Sequence, residues 1–510
     1  MVRSVTEPLA LITALIRALD ERGVCYCHWK SSAGLSVALA GETDLDLLID
    51  RRHTQQFEGV VAALGFKRFI SHESRQLPGV EDWLGLDAES RHLVHLHIYE
   101  QLVLGEELVK NHRLPIEDVL LRHTERISGM PVPIPELELA VLSVRALLKY
   151  RDDALARDLI PIGHRGGLPA AISAEVAELL TRTSPTDVGS AVKRLLPVLP
   201  SEVIVAFLEE AGSLPVDGLR IRRLRLELER ALRPYRRHSS RTLWATRATA
   251  AANRSRVARG LRQRTERLRG RPSGRRKRPA AGGRTVAIVG IDGSGKTTVI
   301  QALVATFGWR MNVATLYLGS SRPGPRTRAA QAVARVIRRL NSGLPGTERG
   351  GGWAARARRS AVDGALGLRA LAEARERERR IQVGSKLASS GWLVLFDRYP
   401  MPALEVGSRR MDAQRIGASS ANAGWLVRGL ARREAAIYAR IGQPDLTIAL
   451  RIEAATARAR KPDSPENLDA KAAALAVLGE EDGRLIVIDA AMPLDDVLRH
   501  AAVAVWGQLG

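Results

Sequence analysis

The first quarter of the chain combines one helical pattern with several strand-like runs. Residues 9–19 place apolar side chains three and four residues apart, which is the spacing of one helix face. The runs at 24–29, 44–50 and Leu93–Tyr99 are short and largely apolar, as strands are. The pattern predicts a small α/β unit that ends near residue 125.

Helical spacing dominates the region that begins at Pro131, Pro133 and Pro135. Apolar residues recur at intervals of three and four through residues 131–235, so we expect a helical bundle there. Residues 236–283 are rich in Arg and end in closely spaced Pro and Gly, which continue neither a helix nor a strand. The predicted organisation is therefore an α/β domain at 1–130, a helical domain at 131–235, a basic linker at 236–283 and a second α/β domain at 284–510. An exposed, Gly-rich loop is also expected at 341–352.

Composition limits the class of protein. The chain of 510 residues is 45% hydrophobic and contains no uninterrupted apolar run long enough to span a membrane. Its first apolar stretch carries Arg17 and has no cleavage site for a secretory signal, so we expect a cytoplasmic protein. Cys25 and Cys27 would lie on the same face of a strand, a poor geometry for a disulfide, and are expected to be reduced.

The positive charge is concentrated in one segment. Residues 220–278 contain 22 Lys and Arg against three acidic residues, and the whole chain has a net charge of +23. Such a segment can bind nucleic acid or an anionic membrane surface by releasing counterions. Its aromatic residues are Tyr235 and Trp244 alone, so base stacking is not indicated and a solvated linker is the favoured interpretation.

A phosphate-binding loop follows the apolar run at 285–289. Residues 290–297 fit the pattern G-x-x-x-x-G-K-[ST], and a helical pattern follows them directly. Glycines allow backbone N–H groups to approach an anion closely, and the helix N-terminus adds partial positive charge. Lys296 can reach the β- and γ-phosphates, and the Thr297 hydroxyl can ligate Mg²⁺. The residues predicted to bind the nucleotide are Gly290, Asp292, Gly293, Ser294, Gly295, Lys296, Thr297 and Thr298.

Two later segments carry further candidate chemistry. A buried strand at 392–396 ends in Asp397-Arg398, where an acid can hold a metal ion and an Arg can bind a second phosphate. Another strand at 443–450 leads to a basic segment at 458–461, which can close over the phosphates and neutralise charge during transfer. The alternatives are an Asp-Arg surface turn and a solvated basic helix face.

Together these motifs resemble the thymidylate kinase family over residues 284–505. The resemblance rests on the loop at 292–298, Asp397-Arg398-Tyr399, the strand led by Pro444-Asp445 and the Arg-rich stretch after it. It implies a parallel sheet flanked by helices, ATP and Mg²⁺ as cofactors, and dTMP as the first acceptor to test. The roles it implies are phosphate binding for Lys296, metal binding for Thr297 and Asp397, acceptor-phosphate binding for Arg398, contact with the acceptor sugar for Asp292, and lid residues for Arg458 and Arg460.

The acceptor side departs from that family. Thymidylate kinases carry an Arg-Glu-Pro-Gly-Gly-Thr loop after the second strand, whereas residues 319–327 keep Arg322-Pro323-Gly324 without the acid. A long, Arg-rich insertion also precedes the strand at 392–396. A relative that acts on another phosphate acceptor is therefore an alternative.

A second constellation lies in the first α/β unit. Asp44 and Asp46 fall on one face of a strand, where two carboxylates can hold divalent metal ions. With Lys30-Ser31 before them, they resemble the nucleotidyltransferase superfamily over residues 10–125, which also needs a third carboxylate on a later strand. The candidate strand carries His95 and His97 instead, and these are either substitute ligands or satisfied histidines.

Three hypotheses follow from the sequence. The leading one is a thymidylate-kinase-like phosphotransferase behind a nucleotidyltransferase-like module, with a nucleotide as its substrate partner. The second is a nucleotidyltransferase that uses Asp44 and Asp46, with a regulatory P-loop domain. The third is an ATP-gated protein that binds nucleic acid through residues 220–278. A homodimer is a further open alternative.

Overall fold

The chain divides into two units, residues 1–273 and 274–510. Each unit contains a different main sheet. The mixed α/β class predicted from the sequence is confirmed. The structure is a computed structural model. It describes residues 7–71, 76, 79–105, 110–150, 169–212, 216–239, 241–243, 245–246, 248–249, 276–342, 353–401, 405–406, 409–410, 416, 424–462, 467–478 and 483–510.

The sheet of the first unit is mixed, with strand order β1-β2-β5-β4-β3. Strands β2 and β5 are parallel, and the other neighbouring pairs are antiparallel. Apolar side chains of the flanking helices, including Ile12, Leu15 and Phe57, pack with strand residues such as Leu47 and Leu96 into one core. The elements are α1 Ala10–Glu21, β1 Tyr26–His28, α2 Leu35–Leu39, β2 Leu45–Ile49, α3 Thr54–Ala63, β3 Lys67–Ile70, β4 Val80–Leu86 and β5 Leu93–Tyr99.

Two hairpins and a helical bundle complete the described part of this unit. The α5 helix is buried along most of its length because the other bundle helices pack around it. Local sequence sets the helix starts: Ser184 caps a helix that begins with Pro185, and the Asp217 side chain accepts from Leu219 N at 2.9 Å. The elements are β6 Leu102–Gly105, β7 Lys110–Leu114, α4 Glu117–Arg122, β8 Thr124–Ile127, β9 Met130–Pro133, α5 Pro135–Lys149, α6 Ala170–Leu179, α7 Pro185–Leu195, α8 Ser201–Gly212 and α9 Gly218–Ala231.

The main sheet of the second unit is parallel, with strand order β12-β13-β11-β16-β17. Its central strand β11 is buried on both faces, as expected for a continuous apolar run. Asp445 fastens the amino end of β16 to β11, since its Oδ2 accepts from Thr285 N and Thr285 Oγ1 at 2.7 Å each. The strands are β10 Arg278–Pro279, β11 Arg284–Gly290, β12 Val313–Tyr317, β13 Leu393–Asp397, β14 Glu405–Val406, β15 Arg409–Arg410, β16 Leu446–Arg451 and β17 Leu485–Asp489.

The long, Arg-rich insertion expected before β13 forms a pair of packed helices, α11 and α12. Gly384 lets α12 approach the sheet closely, because a Cβ there would lie 2.4 Å from the Phe396 ring. The helices of this unit are α10 Lys296–Gly308, α11 Pro325–Ser342, α12 Trp353–Ser389, α13 Trp425–Arg440, α14 Ala454–Arg460, α15 Leu468–Ala476 and α16 Leu494–Gln508.

Several sequence predictions fall partly or wholly outside the described residues. These are the middle of the predicted linker, including residues 250–275, and most of the predicted loop at 341–352. Within the described part of the chain, every helix is too short or too polar to cross a membrane. Cys25 and Cys27 are both free thiols, and burial raises the pKa of the Cys27 thiol.

Candidate functional site

The phosphate loop joins the carboxyl end of β11 to the first turn of α10. Gly293 and Gly295 both have φ of +87°, a conformation that costs a side chain strain energy and that glycine adopts freely. At Gly290 the limit is space, since a Cβ would lie 2.9 Å from the carbonyl oxygen of Leu450. The glycine spacing found in the sequence is therefore the spacing this backbone needs.

Lys296 lies across the loop and is almost fully buried. Its ammonium donates to the carbonyl oxygens of Gly290 at 2.9 Å and Ile291 at 2.7 Å. The same Nζ is 3.8 Å from Asp292 Oδ1. The charge of Lys296 is thus held by backbone oxygens directly beneath the loop.

Asp292 is the meeting point of three cations. Its carboxylate pairs with the Arg398 guanidinium, and its Oδ2 accepts from Lys461 Nζ at 2.9 Å. Burial works against ionisation, but the Lys461 hydrogen bond and the charges of Arg398 and Lys296 hold the pKa of Asp292 below its usual range. The Asp292 carboxylate is therefore the shared anionic partner of Arg398, Lys461 and Lys296.

Asp397 and Arg398 follow β13, the strand beside β11. Ile288 of β11 pairs with Asp397, which brings this acid to the same edge of the sheet as the phosphate loop. Arg398 is a non-glycine residue with φ of +65°, a left-handed conformation that costs about 1–2 kcal/mol. That backbone turn carries its side chain to Asp292.

The predicted lid residues fall in two different places. Arg460 donates through Nη1 to the carbonyl oxygen of Ala490 at 3.0 Å and lines the cleft beside the phosphate loop, as Lys461 does. Arg458 instead pairs with Asp469, with about half of its side chain exposed, and is not among the cleft residues. Since a helix turns by about 100° per residue, the side chains at positions 458 and 460 point to different sides of the helix.

The predicted nucleotide residues surround one cleft of about 560 Å³, except Gly290, which is buried and is not among the lining residues. Asp292 to Thr298, Asp397 and Arg398 line it, with Thr297 and Thr298 exposed. Sequence reasoning did not assign several other lining residues to the site. Their signal was weak because they lie on separate segments; they are Val299, Tyr317, Ala490, Met492, Leu494 and Val497. Lys461 also lines the cleft and belongs to the basic segment that was predicted to close over the phosphates.

Two acids on α12 contact the 319–327 loop. Gly324 N donates to Glu376 Oε1 at 2.7 Å, and Ser320 Oγ lies 3.3 Å from Glu373 Oε2. Arg377, buried on the same helix, donates to the carbonyl oxygen of Leu318 at 2.7 Å. The loop beside the cleft is therefore shaped by the long helix, which the sequence alone did not indicate.

In the first unit the sheet brings the predicted Asp-x-Asp pair beside the histidines. Asp46 is buried and receives Lys30 Nζ at 2.6 Å and the Tyr99 hydroxyl at 3.0 Å. Burial opposes its ionisation, but bonds from His97 and Lys30 lower its pKa strongly. The structure adds Asp82 on β4, whose Oδ1 is 3.0 Å from His95 Nε2. Sequence reasoning missed Asp82 because no strand was predicted at the position of β4.

Glu138 of α5 occupies the turn that follows Lys30. Its carboxylate accepts from the backbone N–H of Ser32, while its Oε2 has no hydrogen-bond partner among the described residues. Burial raises the pKa of Glu138 from the ordinary 4.5 to about 7. The helical bundle therefore supplies the hydrogen-bond acceptor for the Ser32 N–H.

Comparison with known proteins gives matches over less than half of the chain, and no protein-family model matches. The "Uncharacterized ATP-binding protein YghR" of Escherichia coli (strain K12) is 30% identical over 231 residues, which cover 43% of this chain and 86% of that protein. The "Uncharacterized ATP-binding protein YghS" of the same strain is 29% identical over 242 residues, or 44% and 94% of the two chains.

Solved structures are also similar to about two fifths of the chain. A thymidylate kinase from Candida albicans is 18% identical with a TM-score of 0.24, over 41% of this chain and 84% of that one. A deoxyadenosine kinase from M. mycoides with bound dATP is 12% identical with a TM-score of 0.25, over 42% and 95%.

Proposed function

Because the chain belongs to the family of the Escherichia coli ATP-binding protein YghR, we propose that its C-terminal unit binds ATP and transfers the γ-phosphoryl group to a nucleoside monophosphate. The observation that carries this proposal is the set of cations around the phosphate loop. Lys296, Arg398, Arg460 and Lys461 line one cleft at the carboxyl edge of a parallel sheet, where ligands bind in such folds.

Two details of the loop favour an anionic ligand. Ser294 is buried, and its hydroxyl has no hydrogen-bond partner among the described residues. A buried hydroxyl left in that state costs free energy that a phosphate oxygen would recover. Asp292 lies beside three cations, Lys296, Arg398 and Lys461. The phosphates of a nucleotide carry more negative charge than one carboxylate, so they would attract these cations more strongly than Asp292 does.

The proposed reaction breaks the bond between the γ-phosphorus and its bridging oxygen and forms one to an oxygen of the acceptor phosphate, so that ADP leaves. Catalysis of this kind depends on positioning and on stabilising charge. Lys296 would bind the β- and γ-phosphates, Arg398 the acceptor phosphate, and Arg460 and Lys461 the charge that develops between them. The apolar residues Met492, Leu494 and Val497 offer a surface for the base of ATP.

The same cleft has residues that fit Mg²⁺. Thr297 and Asp397 both line it and offer hydroxyl and carboxylate oxygens, the ligands that Mg²⁺ prefers. When bound, the ion would neutralise charge on the β- and γ-phosphates.

The test is ADP formation from ATP by the purified full chain across a panel of nucleoside monophosphates, with dTMP first. We expect ADP only when an acceptor is present, and loss of that activity by at least about 10²-fold in Lys296→Ala. Lys386→Ala, which removes an exposed Lys on α12, is the matched control. Absence of ADP with every monophosphate would contradict the proposal.

A nucleotidyltransferase activity of the first unit is the second candidate. Asp82 supports it, because it supplies the third carboxylate beside Asp46 and Asp44. Glu138 counts against it, since it takes the Ser32 N–H that a triphosphate would need. Loss of nucleotide transfer in Asp46→Asn but not in Lys296→Ala would favour this candidate. Nucleic-acid binding by residues 220–278 and a homodimer stay predictions.

A further inference from the structure

Three strands of the first unit align carboxylates and imidazoles in one row. In the register of the sheet, Asp46 of β2 pairs with His97 of β5, and His97 pairs with Asp82 of β4. Side chains two residues apart on a strand share a face, so His95 joins this row from the same strand. Asp44 lies just before β2 and completes the cluster.

Asp82 fixes which nitrogen of each ring carries a proton. Its Oδ1 lies 3.0 Å from His95 Nε2 and 3.2 Å from His97 Nε2. An ionised carboxylate only accepts hydrogen bonds, so both Nε2 atoms must donate to it. The other oxygen of Asp82 accepts from Ser71 Oγ at 2.6 Å, which holds the carboxylate in place.

The other nitrogen of each ring faces a carboxylate as well. His95 Nδ1 is 2.6 Å from Asp44 Oδ1, and His97 Nδ1 lies 3.3 Å from Asp46 Oδ1 and 3.5 Å from Asp44 Oδ2. A neutral imidazole that donates from Nε2 presents a lone pair at Nδ1. When both rings are neutral, their Nδ1 lone pairs and the Asp44 carboxylate form a set of donor atoms for one cation.

The neighbouring Asp46 already has a cation of its own. Lys30 Nζ is 2.6 Å from Asp46 Oδ1, and the Tyr99 hydroxyl donates to the same oxygen at 3.0 Å. Asp44 lies at the open side of the cluster, with 31% of its side chain exposed. Asp44 is therefore more exposed to solvent than His95 or His97.

We propose that Asp44 and the Nδ1 atoms of His95 and His97 bind one divalent transition-metal ion of the zinc class. Their ligand atoms all lie within 4.8 Å of one another. Imidazole nitrogen suits Zn²⁺ and its neighbours, whereas Mg²⁺ takes oxygen ligands. Asp82 is the positioning residue, since a carboxylate that accepts the second N–H of a ligating His orients the ring and raises its basicity.

Three protein ligands leave one coordination position open. Zinc sites with that arrangement bind water or substrate at the fourth position. The site is therefore of the kind that binds a small ligand as well as the ion. It is independent of the kinase proposal, because all of its residues belong to the first unit.

The test is zinc binding by the untagged full chain after chelator treatment, measured by competition with a chromogenic zinc indicator. We expect one tight equivalent in the native chain, unaffected by excess Mg²⁺. His97→Gln should remove it, and Asp82→Asn should weaken it by about 10- to 100-fold while all three ligands remain. His92→Gln, an exposed histidine outside the cluster, should bind like the native chain.

Two results would overturn the proposal. One is zinc binding that is equal in the native chain and His97→Gln, or absent in both. The other is a ¹⁵N spectrum of the native chain at pH 7 in which both rings are doubly protonated and unchanged by ZnCl₂. In that case protons, rather than a metal ion, would separate the Nδ1 atoms from Asp44.

Discussion

The two units arrange charge in opposite ways. In the C-terminal cleft one carboxylate, Asp292, faces Lys296, Arg398 and Lys461. In the first unit several carboxylates surround two imidazoles, and Lys30 pairs with Asp46. An excess of cations suits an anionic ligand, and an excess of carboxylates suits a cationic one. This difference in charge is what supports the two proposals, phosphate binding in the C-terminal unit and a transition-metal site in the first unit.

Two acids, one in each unit, have opposite pKa shifts. The pKa of Asp292 is lowered by cations, so the stability it contributes is present above the ordinary carboxyl range and is lost as pH falls. The pKa of Glu138 is raised by burial to about 7, so its contribution is favourable below pH 4.5 and is lost as pH rises towards 7. Each experiment below changes a residue in one of the two units.

The largest expected effect is at Glu138. Glu138→Gln keeps the acceptor for Ser32 N–H and removes the cost of ionising a buried acid. Relative to the native chain, the variant should gain stability between pH 5 and pH 8, by up to about 3 kcal/mol at about 1.4 kcal/mol per pKa unit. Urea unfolding at both pH values measures it, with the exposed Glu178→Gln as control. Equal pH dependence in variant and native chain would show that this acid ionises freely.

The second-largest expected effect is the difference in the rate of phosphoryl transfer between substitutions of the two predicted lid residues, Arg460 and Arg458. Arg460→Ala removes a cation from the cleft and should reduce phosphoryl transfer by about 10²-fold. Arg458→Ala removes a partner of Asp469 outside the cleft and should reduce it by less than about threefold. Steady-state rates of ADP formation decide between them. A larger loss in Arg458→Ala would mean that α14 rotates when the substrates bind.

A smaller effect is expected at Gly293, beneath α14. Its φ of +87° and a Cβ position 2.5 Å from the carbonyl oxygen of Ala457 both disfavour a side chain. Gly293→Ala should cost about 1–2 kcal/mol in stability and weaken ATP binding by moving α14. Thermal unfolding with and without ATP measures both. Gly429→Ala on α13, where a Cβ meets no atom within 4 Å, is the control and should be neutral or stabilising.

The smallest effect is expected at Asp292 itself. Asp292→Asn removes the carboxylate that competes with phosphates for three cations, so ATP should bind several-fold more tightly, an effect on the order of 1 kcal/mol. Calorimetric titration with ATP alone measures it, with Asp363→Asn on α12 as the exposed control. Weaker binding would show that Asp292 supports the loop more than it opposes the ligand.

Local patterns predicted the phosphate loop and the central strand β11 well. Gly293 and Gly295 have the positive φ that the glycine spacing of the loop predicts. A continuous apolar run predicts β11 directly. Asp82, Glu376 and Tyr317 could not be assigned in that way. Each reaches its partners through tertiary contacts, across a sheet or from the long helix α12, and no short motif encodes such a contact.

The left-handed backbone at Arg398 sets stability and activity against each other. Glycine adopts φ of +65° without strain, so Arg398→Gly would relieve the turn and lose the guanidinium that reaches Asp292. A library randomised at this position and screened for heat resistance should therefore return Gly or Asn. The same library screened for turnover should return Arg. Position 398 thus offers a test of the proposed phosphoryl transfer by selection, once an acceptor has been found.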